Sequence, residues 1–424
     1  MKEPINNTST RNEITNNQKF LIMTFFAVTL ILIGFFIDSP KGIIKGIGKI
    51  IIYPDTLITD YIGVGGMGAT FVNSGILTLV SIGILYKLKI KFNGVTFASL
   101  FLMAGFAFFG KNIFNVWFII LGVYLYSKYQ KDTFTKYVYV SLFGTAMAPM
   151  ISQLLFSIEA HFIVRVFLGV GTGVFIGFIL PPLSTYLLRV HQGFNLYNIG
   201  FAAGIIGTIL VSIFKSYGII PEPRMVWTTG NNQIFSVYLF SLSISMILLG
   251  YYLNEKSFKN VENIMKRSGR LITDFTLLYG YAPSLINMGI NGIAAISYIL
   301  LIGGDLNGPT IGGIFTIMGF GAFGKHIKNI IPIFLGVSLG ALTKNWGIQV
   351  PAIQLAALFG TALAPIAGEF GWKYGILAGF IHSSVVLNVG VLHGGLNLYN
   401  NGFAAGIVAA ALVPCIEAFR KEEI

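Results

Sequence analysis

One pattern occurs twice along this chain, in the same order both times, and that repetition limits what it can fold into. Gly193–Gly204 reads GFNLYNIGFAAG and Gly395–Gly406 reads GLNLYNNGFAAG, identical at all but two positions. Leu142–Pro149 (LFGTAMAP) returns as Leu358–Pro365 (LFGTALAP). Phe109–Ile113 returns as Phe323–Ile327, Asn93–Thr96 as Asn307–Thr310, and Leu57–Tyr61 as Leu271–Phe275. Apolar sequence of low complexity produces chance matches, but not five in register. The predicted organisation is a polar tail over 1–18, a first repeat over 19–215, a linker over 216–232 and a second repeat over 233–418. The tail reads as a disordered cytoplasmic segment. It is not a signal peptide, because no short apolar run with a cleavage site follows it.

Composition fixes the solvent. The chain is 54% hydrophobic and 10% charged, against about 25% charged in soluble domains. Apolar runs such as Phe20–Ile37, Gly66–Leu85 and Phe162–Leu188 approach or exceed the ~20 residues that cross a bilayer core. A transmembrane β-barrel alternates over ~10 residues, and these runs do not. The net charge of +12 is read as topogenic Lys and Arg in cytoplasmic loops, not as a nucleic-acid interface. The single cysteine, Cys415, excludes a disulfide framework and a cysteine-ligated metal site. No catalytic motif, metal set or cofactor motif stands out, so neither an enzyme nor a cofactor is expected. Gly169-Val170-Gly171-Thr172-Gly173 lies inside an apolar helix without a preceding strand, and packing explains it better than a nucleotide loop.

The expected class is an all-α polytopic membrane protein. Each copy offers seven apolar segments, near 19–37, 62–86, 93–110, 112–127, 137–157, 162–188 and 194–214 in the first. In the second they lie near 233–253, 276–301, 308–324, 329–343, 352–367, 372–391 and 396–416. If all cross and the N-terminus is cytoplasmic, Lys87, Lys89, Lys91, Lys128, Lys131, Lys136 and most other basic residues fall inside, as the positive-inside rule requires. Lys41, Lys45 and Lys49 fall outside, followed by Gly46–Asp60, which is read as an amphipathic surface stretch. An odd number of crossings per copy inverts the second repeat relative to the first, a recurrent plan of secondary transporters. The inversion survives if two segments per copy are broken or re-entrant. Both termini are then cytoplasmic in a multi-pass protein of the cell inner or plasma membrane.

Three groups of residues are candidates for a solute path. Asn195, Tyr197 and Asn198 recur as Asn397, Tyr399 and Asn400. Amides and phenols in apolar surroundings are expensive unless satisfied. They either line a path or bond across helices as polar glue. Asn93 and Thr96 recur as Asn307 and Thr310, where Asn precedes Gly and, in the second copy, Pro309. That pattern predicts a helix start and hence a broken or half helix whose amide end faces a polar or anionic solute. The bland alternative is a simple turn. His191 and His393 precede the repeated Asn element, and Glu369 stands where the first copy has Gln153. These three are candidates for gating or proton linkage. Lys111 and Lys325 are matched and are placed at helix ends.

The elements LNLYNNGFAAG, FGKHIKNI and LFGTALAP resemble those of a family of duplicated bacterial integral membrane proteins of unknown function, over essentially the whole chain. YNNGFAAG is also similar to the tyrosine–asparagine–glycine element repeated in urea transporters. The repeat count resembles the inverted-repeat fold of nucleobase and inorganic-anion transporters. The inverted repeats, the repeated amides and the few charges at membrane depth together predict a transporter or channel for a small polar or singly charged solute, with its path at the interface of the two repeats. The partners implied are the lipid bilayer and a small-molecule solute, and homo-oligomerisation stays open. The alternatives are an intramembrane enzyme or lipid-handling protein, which would cluster acids, bases or a metal set, and a non-transporting scaffold with tightly packed halves.

Overall fold

The computed structural model describes residues 14–421, and there the chain is helical, with one isolated bridge between Thr59 and Val226. The first repeat runs α1 (Asn16–Ile37), α2 (Pro40–Ile52), α3 (Tyr61–Gly65), α4 (Met67–Lys87), α5 (Gly94–Phe106), α6 (Trp117–Tyr129), α7 (Val138–Gly144), α8 (Ala148–Phe156), α9 (Phe162–Val190) and α10 (Asn198–Ser216). The second runs α11 (Asn232–Leu253), α12 (Val261–Ile264), α13 (Phe275–Tyr279), α14 (Tyr281–Leu301), α15 (Gly308–Phe320), α16 (Ile327–Thr343), α17 (Pro351–Gly360), α18 (Ala364–Phe370), α19 (Trp372–Val389) and α20 (Asn400–Lys421). Each helix of the first series has its counterpart ten places on, so the sequence duplication is a duplication of structure. Most of the predicted tail lies outside the described residues. Its last part is helical: α1 starts at Asn16 because Thr15 and Gln18 form a capping box.

Among the described residues ten stretches are long and apolar enough to cross a membrane. They are α1, α4, α7–α8, α9 and α10 with their five counterparts, where α7–α8 and α17–α18 each read as one broken helix. Their outer faces carry bare apolar side chains such as Phe25, Phe167, Val237 and Leu248, as contact with lipid demands. The protein is therefore an all-α polytopic membrane protein. The third and fourth segments of each copy are not long crossings. α5, α6 and α15 have 13 residues each and α16 has 17, so 13 residues rise only ~20 Å. They follow one another through tight turns at Gly110 and Gly324, both at positive φ. The amphipathic stretch is also displaced. It is α2, which buries Ile43, Gly46 and Ile50 and exposes Lys41, Lys45 and Lys49, whereas 55–60 is buried apart from Leu57.

The centre of the molecule is the pair α5 and α15. Gly105 meets Gly312 at one end, and Phe101 and Ala98 meet Gly319 at the other, so the two helices run antiparallel. A Cβ on Gly105 would sit 2.9 Å from the Gly312 carbonyl oxygen, closer than any side chain tolerates. The small residues let these backbones touch.

Candidate functional site

Contacts between the repeats come in reciprocal pairs, as a twofold relation requires. Leu57 N–H donates to the Gly395 carbonyl at 2.8 Å, and Leu271 N–H to Gly193 at 3.0 Å. Leu196 N–H donates to Ala362 at 2.9 Å, and Leu398 N–H to Ala146 at 3.0 Å. Asn195 Nδ2 donates to the Gly402 carbonyl at 2.9 Å, and Asn397 Nδ2 to Gly200 at 3.4 Å. The Oδ1 of Asn195 and of Asn397 each accepts from the backbone N–H two residues on. Both functions of these two amides are spent on backbone, one across the interface and one at the entry to the helix.

Asn198 and Asn400 are engaged differently. Asn198 Oδ1 lies 2.9 Å from His191 Nε2, and its amide donates to Ser184 O. Asn400 repeats this with His393 at 3.0 Å and Val386 O. The two histidines are buried, and they tie α10 to α9 and α20 to α19. Glu369 is exposed at the end of α18, and the structure does not bring it to this group.

Tyr197 and Tyr399 face each other with ring centroids 5.2 Å apart. Together with Asn198, Gly200, Phe143 and Phe320 they line a cavity of about 120 Å³ between the repeats. Two matched lysines are buried, and Lys325 stands behind Tyr197. Lys325 is fully buried, and its Nζ lies 2.5 Å from Tyr197 Oη and 2.7 Å from Thr361 Oγ1. Lys111 is equally buried but poorly satisfied, 3.4 Å from the Leu142 carbonyl and 3.6 Å from Met103 Sδ. Among the described residues the ion pairs are Lys136–Asp132, Arg224–Glu222 and Lys266–Glu262, and none includes either buried lysine. Both lysines follow the C-terminal ends of α5 and α15, where carbonyl dipoles favour a cation. The sequence put them at helix ends, and they do follow α5 and α15; their burial was not read from it, and the available signal was a lysine matched in both copies within apolar sequence.

Asn93 and Asn307 do start short helices, each closing a capping box with Thr96 or Thr310. Gly94 N–H donates to both oxygens of Asp274, at 3.0 and 2.9 Å. Asp60 lies against Gly308 at the start of α15 and also holds Thr228. The anion expected at each amide end is thus a carboxylate of the opposite repeat, and a Cβ at Gly94 or Gly308 would fall within 2.7 or 2.4 Å of it. These aspartates lie in the repeated Leu-Ile-Thr-Asp element, which marked duplication but gave no sign of its partner.

One further polar group has no counterpart. Asp55, in the connecting segment outside the long helices, is fully buried. Burial pushes its carboxyl well above the usual carboxylate range.

The fold and this internal twofold define a duplicated helical membrane protein with a polar centre between its halves. The chain matches the family described as "Protein of unknown function (DUF1576)" over residues 39–216 and 253–418, and it belongs to that family. It is also 25% identical over 226 residues to a protein from Buchnera aphidicola subsp. Baizongia pistaciae (strain Bp) titled "Probable multidrug resistance protein NorM". That match takes in 49% of this chain and 48% of the relative, so the chain spans about half the length of the curated relative it matches. No solved structure matches significantly. The likeness to urea and nucleobase transporters gains no support from these comparisons.

Proposed function

We propose that the protein is a membrane transporter or channel for a small polar or singly charged solute, with its path between two inverted repeats. The observation that carries this is the cavity with Tyr197 and Tyr399 in its wall and Lys325, outside any ion pair, behind Tyr197. A buried ammonium without a counter-ion is costly, and a monoanion entering the cavity would offset that cost. The solute favoured is therefore a small monoanion. The relative titled a multidrug resistance protein agrees with a transport role and says nothing about this solute.

The antiparallel α5 and α15 support the inversion, since equivalent helices of repeats related by an axis along the membrane normal would run the same way. On this reading α5–α6 and α15–α16 are re-entrant hairpins entering from opposite faces. Five crossings per repeat then place both termini in the cytoplasm of the cell that carries it.

The test is flux of nitrate, formate and chloride into proteoliposomes. Uptake by the wild type that is lost in Lys111→Met/Lys325→Met supports the reading. Uptake unchanged in that variant sinks it. A second reading, a non-transporting scaffold, is favoured by the mutual capping of the halves through Asp60 and Asp274. It is adopted if no solute moves at all.

A further inference from the structure

The two repeats differ at one buried polar cluster. In the first, Asp55 Oδ2 accepts from Tyr61 Oη at 2.9 Å and from Asn115 Nδ2 at 3.4 Å. Asn115 Nδ2 also donates to Ser152 Oγ at 3.0 Å. Asp55 Oδ1 is buried and has no hydrogen-bond partner. In the second repeat the equivalent positions are Gly269, Phe275, Asn329 and Gly368. A Cβ at Gly269 would fall 1.9 Å from the Gly324 carbonyl oxygen, so no side chain fits there. The carboxylate site is built once.

The donors decide what it binds. Tyr61 and Asn115 present hydrogens to the carboxylate. The side-chain oxygens of Asn112 and Asn115 are turned away and taken by backbone N–H groups. A metal cation needs several converging oxygens, whereas a proton needs one free lone pair, and Oδ1 supplies it. The groups around the site leave the charge unneutralised. Asp60 is held by Thr228, Arg224 pairs with Glu222, and Lys49 and Glu159 are exposed on neighbouring clefts. Gln153, next to Ser152 in sequence on α8, lines a separate cleft of about 370 Å³.

We propose that Asp55 is a proton-binding site of the first repeat that couples proton movement to solute movement. The proton joins Oδ1 to give the neutral acid and leaves it to water. The coupling half of this rests on the transport reading above, and the binding half does not.

Infrared difference spectra of the full chain in lipid nanodiscs test the binding half. A protonated-carboxyl band that titrates in the wild type should vanish in Asp55→Asn and persist in Asp60→Asn. Tyr61→Phe removes a donor to the ionised form and should raise the titration midpoint by about one pH unit; this variant decides the matter if Asp55→Asn does not fold. A band untouched by Asp55→Asn, or a midpoint unmoved by Tyr61→Phe, overturns the assignment. Loss of the band on adding sodium chloride but not choline chloride at fixed pH also overturns it, in favour of a metal cation. For the coupling half, an inward proton gradient should speed nitrate or formate uptake by the wild type but not by Asp55→Asn. Gradient-insensitive uptake with the band intact removes coupling alone, and a titrating band with no uptake of any solute removes the transport reading alone.

Discussion

Asp274, in the second repeat, caps the first turn of a helix in the first, its two carboxylate oxygens 3.0 and 2.9 Å from the Gly94 amide nitrogen. It also caps its own helix α13 through Leu277 at 3.0 Å. One side chain therefore fixes two helix starts and joins the repeats. Asp274→Ala should lower stability by about 1–2 kcal/mol, read as a fall in thermal midpoint in detergent. Asp274→Asn keeps an acceptor and should lose less.

Glycine spacing in α9 separates contact from sequence pattern. A Cβ at Gly177 would lie 2.1 Å from the Ile119 carbonyl oxygen of α6, while a Cβ at Gly171 meets nothing within 4 Å. Gly177→Ala should cost about 1–3 kcal/mol. Gly171→Ala should be neutral or stabilising by up to about 1 kcal/mol. Equal effects would mean that α6 and α9 are not packed this way.

The two buried lysines should respond differently to loss of charge. Lys111 has only weak partners, so Lys111→Met should raise the thermal midpoint, by about 1–3 kcal/mol in stability. Lys325→Met strands Tyr197 and Thr361 and should gain less or lose. A thermal unfolding series of the two variants checks the order.

Asn198 and Asn400 hold His191 and His393, so Asn198→Leu with Asn400→Leu leaves buried imidazole and carbonyl groups unpaired. Each replacement should cost about 1–3 kcal/mol. Uptake lost with stability intact would instead give these amides a direct part in the path.

Asp55 sets a pH dependence of stability. Its carboxyl is raised in the folded state by burial, so the folded chain binds the proton more tightly than the unfolded chain. Its stabilising contribution is complete below the unfolded value of about 4. It is lost as pH rises towards the folded value. Thermal midpoints should fall with rising pH over that window, and less steeply in Asp55→Asn.

The duplication, the membrane as solvent and the capped starts of α5 and α15 were legible in the sequence, because each depends on local spacing and composition. Asn93 before Gly94, and Asn307 before Gly308 and Pro309, are enough to write a helix start. What faces that start was not legible. Asp60 and Asp274 are distant in sequence from the turns they cap, and only the docking of two repeats brings them there. Placement of Lys325 against Tyr197 follows from the same docking, since a lysine after a short apolar helix reads equally well as a plain helix end. The asparagines show the limit most plainly. Their number and places are a property of the chain, but whether an amide meets a solute or a backbone carbonyl is settled by how close two glycine-bearing helices can come. Gly200 and Gly402 bring them close enough for the amides of Asn195 and Asn397 to bond across the interface.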